Sequence, residues 1–236
     1  MSLRIRDLPS PNHDARPADT PIDTLILHYT GMRSAQAAID RLRDPGAGVS
    51  SHYVVDEDGA ILRLVPEDRR AWHAGASYWR GHTGLNDRSI GIEIVNPGHE
   101  WGYADFPVLQ LAGVCDLCLA ILARHPIPAR NVVAHSDVAP DRRQDPGERF
   151  PWRDLAANGV GLWPDEAAGS AQGELDVRAA LAGIGYRVDL HLATVLTAFQ
   201  RHWRPESITG EADRGTVVRL RAVQALADGG EGFFGG

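Results

Sequence analysis

Cysteine is nearly absent: Cys115 and Cys118 are the two in 236 residues. That is too few for the disulfide framework of a small secreted scaffold. Their C-x-x-C spacing would suit redox chemistry or half a zinc site. However, residues 106–125 carry Val108, Leu109, Leu111, Ala112, Cys115, Leu119 and Leu122 at helical spacing. Both cysteines are therefore read as small apolar residues on the buried face of a helix. Long hydrophobic runs are also missing. No stretch approaches the roughly 20 apolar residues of a membrane helix, so no membrane span is expected. Positive charge is in deficit, with 24 Lys and Arg against 31 Asp and Glu and a formal net charge of -7. A nucleic-acid binder needs a basic face to neutralise phosphates, so nucleic acid is excluded as a partner. Basic residues near Met1 are followed by Pro9, Pro11 and Pro17, not by an apolar run. No secretory signal is read there. The expected compartment is the cytoplasm, with the periplasm or cell envelope as the alternative.

Apolar residues make up 43% and charged residues 23%, ordinary values for a globular chain that can bury a core. The length allows one large domain, or a medium one plus a small one. Residues 1–20 are rich in Pro and Asp and read as an irregular N-terminal arm. Thr24 to Tyr29 is a short apolar run typical of a buried strand. Ser34 can cap a helix reaching about Leu42, with Ala35, Ala38, Ile39 and Leu42 on one face. Two β-rich runs, Tyr53-Val54-Val55 and Ile61 to Val65, flank an Asp58-Gly59 turn and predict a hairpin. Ser89 to Asn96 alternates, placing its even-numbered apolar residues on one face and Glu93 on the other. Asn131 to His135 reads as another strand. The expected fold class is α/β, a mixed central sheet flanked by helices, over residues 21–160. Composition then shifts to Gly, Ala, Pro and Ser, predicting a linker over 161–173. Residues 174–226 have the spacing of three short helices, a small C-terminal three-helix domain, and 227–236 read as a flexible tail.

Two histidines end apolar strands: His28 after Leu25-Ile26-Leu27, and His135 after Val132-Val133-Ala134. Asp145 follows ten residues later. Strand ends deliver side chains to a rim with little freedom, and a catalytic zinc takes three protein ligands. By itself the pattern leaves the matter open. There are ten histidines, strand-end histidines are commonly structural or exposed, and neither H-E-x-x-H nor a paired C-x-x-C motif is present.

Six motifs in order narrow it. They are His28-Tyr29-Thr30, Ser51-His52-Tyr53-Val54-Val55, Ala71-Trp72-His73-Ala74-Gly75, Ser89 to Asn96, His135-Ser136-Asp137-Val138-Ala139-Pro140, and Arg142 to Gly147. Over residues 20–155 the chain resembles the type-2 N-acetylmuramoyl-L-alanine amidases, a family that includes amidase-type phage lysozymes and the peptidoglycan recognition proteins. It is most similar to the AmpD/AmiD-like branch, whose third ligand is Asp. The resemblance implies Zn2+ as cofactor on His28, His135 and Asp145. It implies Glu93 as the acid–base residue that activates the attacking water. Arg143 matches a basic residue, usually Lys in the family, that stabilises the developing oxyanion; Arg differs from Lys in shape and donor geometry. Tyr53, His73 and Asn96 are carried over as substrate contacts, and Trp72 stands between contact and packing. His82, His99, His125, His191 and His202 match no motif and read as surface or structural. The implied reaction is hydrolysis of the lactyl-amide bond between MurNAc, or anhydro-MurNAc, and L-Ala of peptidoglycan or muropeptides.

Leu181 to Tyr186, Ala198 to His202 and Gly210 to Asp213 are similar to the helical peptidoglycan-binding domain of AmiD-like amidases, which implies contact with wall polymer. A non-catalytic peptidoglycan receptor on the same fold is the alternative. Receptors of that kind typically lose a ligand, and all three matching positions are intact here. A purely structural zinc would call for four protein ligands, and three are found.

Overall fold

Leu25, Ile26 and Leu27 are all fully buried, so both faces of their strand are covered, as an apolar run without alternation requires. The computed structural model describes residues 3–165 and 173–229. The strands are β1 (Ile5–Asp7), β2 (His13–Ala15), β3 (Thr24–Tyr29), β4 (Tyr53–Val55), β5 (Ile61–Arg63), β6 (Arg69–Ala71), β7 (Tyr78–Trp79), β8 (His82–Thr83), β9 (Ser89–Ile94) and β10 (Val132–Ala134). The helices are α1 (Ala35–Arg43), α2 (Gly98–Trp101), α3 (Val108–Leu122), α4 (His135–Val138), α5 (Trp152–Ala157), α6 (Val177–Ile184), α7 (Leu192–Trp203) and α8 (Arg214–Gly229). The central sheet is mixed, in the order β1-β5-β4-β9-β3-β10. Parallel β9 and β10 flank β3, and β4 and β5 form the antiparallel hairpin expected around Gly59.

Strand parity divides the sheet into two faces. Leu25, Leu27, Tyr53, Val55, Ile90, Ile92 and Ile94 share one face, and α3 covers them with Val114, Leu117, Cys118 and Ile121. The opposite face carries Ile26, His28, Val54, Gly91 and Glu93, judged by the pairing of these residues across strands. One side of that face packs on α1 through Ile39 and Leu42. Ser34 caps α1 as expected, its side chain accepting from Ala37 N at 3.2 Å. On the other side Ile26, Val133 and Val138 join Leu181, Val195, Phe199, Trp203 and Leu220 of the C-terminal helices in one apolar cluster.

Two expectations need adjustment. The N-terminal arm is ordered: β1 pairs with β5 and β2 with β6. Arg16 also donates to the carbonyls of Glu67, Asn86, Asp87 and Ser89. The arm borrows its hydrogen bonds from distant segments, so local composition did not reveal them. Helix α3 is rotated from the expected face. Val108, Leu109 and Leu119 are 82%, 65% and 41% exposed, whereas Gln110 is fully buried. Gln110 Nε2 donates to Val55 O and Val95 O at 3.2 and 2.8 Å. A helix apolar nearly all round offers no periodicity from which to choose a face, and that amide tether sets it. Cys118 is buried and Cys115 partly so, and both are free thiols. Residues 166–172 of the expected linker, and 230–236 of the expected tail, lie outside the described residues. Among the described residues no helix is long and apolar enough to cross a membrane.

Candidate metal centre and catalytic cleft

His28 on β3 stands opposite Glu93 on β9, so both side chains leave the sheet on the face away from α3. His135 begins α4 directly after β10, the other neighbour of β3. Asp145 lies in the following loop, and its carbonyl accepts from Ser136 N at 3.0 Å. His28 Nδ1, His135 Nδ1 and Asp145 Oδ2 form a triangle with sides of 2.9, 3.0 and 2.9 Å. All three residues are buried, and together they form a group able to hold a metal ion.

The outer partners decide which ring nitrogens carry protons. Ser89 Oγ donates to Leu85 O at 2.6 Å, so it accepts from His73 Nε2–H at 3.2 Å. His73 Nδ1 is then a bare acceptor, and it takes the Nε2–H of His28 at 3.0 Å. His135 Nε2–H points to Ala74 O at 3.3 Å. Both Nδ1 atoms therefore present lone pairs to the Asp145 carboxylate. Three acceptors within 3.0 Å of one another, with no proton assigned between them, form a cradle for a cation. Burial, then His135, holds the His28 imidazole down at about 4, which favours the neutral form that ligates metals.

One chain segment orients both imidazoles, the arrangement expected of outer partners in metal sites. Asn86 Oδ1 holds that segment by accepting from His73 N and Ala74 N at 3.1 and 2.7 Å. Arg142 adds its guanidinium to Ala74 O and Ala76 O. The His73 ring lies over Gly91, where a Cβ would come within 2.5 Å of the imidazole. Gly91→Ala is expected to displace His73 at a cost of about 1–3 kcal/mol, as overpacking does. A thermal melt of the metal-free protein checks this at roughly 2–4 °C per kcal/mol for a chain of this size; an unchanged Tm would show that the ring has room.

The three donors line a cleft of about 310 Å³ together with Glu93, Arg143, His73, Trp72, Tyr29, His99 and Arg41. Glu93 Oε2 is enclosed and has no hydrogen-bond partner among the described residues. Burial, then the Asp145 charge, pushes the Glu93 carboxyl well above its usual value, against the pull of Arg143. A carboxyl whose pKa is raised by folding stabilises the fold fully below its unfolded value of 4.5. That contribution is lost as pH rises through the folded value. In the metal-free protein, Glu93→Gln should match the wild-type Tm near pH 4 and exceed it increasingly toward neutral pH. Parallel melting curves would contradict the burial argument.

The expected substrate contacts are placed differently. Tyr53 pairs with Ile92 and not with Glu93, so strand parity sends its ring into the α3 core. Its hydroxyl donates there to Glu67 Oε1 at 2.7 Å. Asn96 closes a turn, its Nδ2 donating to Ala104 O and its Oδ1 accepting from Gly98 N. His73 lines the cleft, but His28 and Ser89 occupy both of its ring nitrogens. Trp72 lines the cleft while its Nε1 donates to Asp14 Oδ2 at 2.7 Å. Two histidines without a motif take up definite positions. His99 lines the cleft and bridges Tyr29 OH to Glu148, and His202 is buried against Asp137. A lone histidine carries no local signal of its partner, so neither position could be read in advance.

The family described as N-acetylmuramoyl-L-alanine amidase matches residues 18–148. The N-acetylmuramoyl-L-alanine amidase AmiD of Escherichia coli K12 is 39% identical, covering 89% of this chain and 84% of its own length. The 1,6-anhydro-N-acetylmuramyl-L-alanine amidase AmpD of Citrobacter freundii is 37% identical over 62% of this chain and 86% of its own. Among solved structures, the E. coli AmiD complex with anhydro-N-acetylmuramic acid-L-Ala-D-gamma-Glu-L-Lys has a TM-score of 0.79 and 38% identity. It covers 89% of this chain and 91% of that one. AmpDh3 of Pseudomonas aeruginosa with an anhydromuramic pentapeptide has a TM-score of 0.80 and 32% identity, covering 89% and 94%.

Proposed function

The chain belongs to the N-acetylmuramoyl-L-alanine amidase family, and from that premise we propose that it hydrolyses the lactyl-amide bond between MurNAc, or anhydro-MurNAc, and L-Ala with zinc held by His28, His135 and Asp145. The observation that carries the metal assignment is the triangle of three converging acceptors, whose outer partners leave no proton among them. Two imidazoles and one carboxylate are a donor set of catalytic zinc sites, which use three protein ligands. A zinc ion held there would supply positive charge to activate water and polarise the scissile carbonyl. Anhydromuramic peptides in the complexes of the two structural relatives support the substrate class.

The remaining steps fall to the chain. Glu93, whose enclosed oxygen has no partner among the described residues and whose affinity for a proton is raised, takes the proton from the attacking water. It later delivers that proton to the departing amine of L-Ala. The exposed Arg143 lines the same cleft and faces the charge that develops on the carbonyl oxygen. His73 and Ala74 O keep both imidazoles oriented throughout.

Mass spectrometry of products from a MurNAc-tripeptide and its anhydro form, with and without a chelator, tests the proposal. Free peptide beginning at L-Ala is expected, lost on chelation and restored by zinc, and the faster substrate identifies the preferred sugar. Cleavage that persists after complete metal removal would refute the zinc assignment.

A further inference from the structure

Asp137 lies two residues beyond His135 in α4 and is fully buried. Its Oδ2 accepts from Ala134 N at 2.8 Å, tying down the start of the helix that carries His135. The other partners come from the C-terminal helices and the loop after α6. His202 Nδ1 donates to Oδ2 at 2.6 Å, and Tyr186 OH donates to Oδ1 at 2.6 Å. Trp203 Nε1 in turn donates to Tyr186 OH at 3.2 Å. The His202 ring stacks on Trp152 and Trp203 at centroid distances of 3.9 and 4.0 Å, which leaves it little freedom to turn.

The preceding residue of α7 reaches the other side of the centre. Arg201 Nε donates to Glu148 Oε2 at 3.4 Å, and Glu148 is three residues past Asp145. Glu148 also meets His99 Nε2 at 3.1 Å, and His99 Nδ1 meets the hydroxyl of Tyr29, the neighbour of His28, at 2.9 Å. Two consecutive side chains of one helix thus grip the segments that flank His135 and Asp145, and reach the third ligand's neighbour through His99. Donors that must meet one ion tolerate little relative drift, and α7 joins their supports into a single frame.

We propose that α7 is a positioning element of the metal centre: His202, through Asp137, and Arg201, through Glu148, set the spacing of the His135 and Asp145 segments. The proposal rests on the metal reading above. It gives the C-terminal helices a role inside the amidase site that is separate from any contact with wall polymer.

The test compares zinc dissociation constants of the full-length chain, from competition with a chromogenic chelator, alongside kcat, KM, Tm and sedimentation with purified peptidoglycan. His202→Leu removes the donor to Asp137 and is expected to weaken zinc binding by roughly 10–100-fold, the usual scale for an outer partner. His202→Asn can keep a nitrogen donor near the Nδ1 position and should recover most of that loss. Arg201→Gln should weaken zinc several-fold and lower kcat more than it raises KM. Val223→Ala, in the same apolar cluster, should lower Tm while leaving zinc affinity at the wild-type value. Wild-type zinc affinity in a folded His202→Leu protein would overturn the proposal. So would an equal loss in Val223→Ala, or variants that change only peptidoglycan sedimentation. If His202→Leu does not fold, Arg201→Gln decides, and unchanged affinity there overturns the proposal. Failure of the wild-type protein itself to take up zinc would instead sink the metal reading on which this one stands.

Discussion

His135→Ala should yield a folded protein that retains essentially no zinc after dialysis and has lost its amidase activity. His135 supplies one of three converging donors, from the first position of a short helix whose Asp137 is fully buried. Losing even an outer partner typically costs roughly 10–100-fold in metal affinity, so losing a direct donor should exceed the upper end of that range. The fold should survive, because the apolar clusters on either side of the sheet do not include this imidazole. Elemental analysis of the purified variant is the check. Stoichiometric zinc would remove His135 from the ligand set, and the orientation of its ring by Ala74 O would then need another explanation.

Glu93→Ala separates metal binding from catalysis. Zinc content should remain at the wild-type level, because Glu93 is not one of the three converging donors. The turnover rate should fall by roughly 100-fold or more, the scale of general acid–base catalysis. KM should change much less, since the loss concerns proton transfer in the transition state and not ground-state contacts. Its place in the cleft beside the three donors, with one enclosed oxygen lacking a partner among the described residues, is what suits it to the role. A near-normal rate in a zinc-loaded Glu93→Ala protein would show that another group moves the proton.

How the chain encodes these features differs from residue to residue. His28 and Glu93 sit on paired strands whose apolar neighbours fix register and face, and His135 directly follows a third strand; their proposed roles came from the motifs shared with the amidases, because the strand pattern alone leaves them open. Tyr53 lies one residue out of phase with Glu93: the hairpin alone does not say which neighbour β4 pairs with, and the pairing of Val54 with Glu93 turns Tyr53 to the α3 side. His73 lines the cleft, as its motif suggests, but its ring partners are not local. Its contacts are to His28 and Ser89, which lie 45 and 16 residues away in the chain. Helix α3 was legible as a helix, but its buried face was not, since an almost uniformly apolar helix gives no direction.

Hydrophobic period, turn residues and short motifs were enough for the element types along most of the chain and for the resemblance to the amidase family. The three candidate donors and Glu93 came with that resemblance, since strand-end histidines alone leave the ligand set open. Tertiary structure decided the pairing of the N-terminal arm, the rotation of α3, the protonated nitrogens of His28 and His135, and the grip of α7 on Asp137 and Glu148. Each of these depends on groups brought together from distant parts of the chain. A buried polar atom takes whatever partner the packing delivers, and no local pattern records which one that will be.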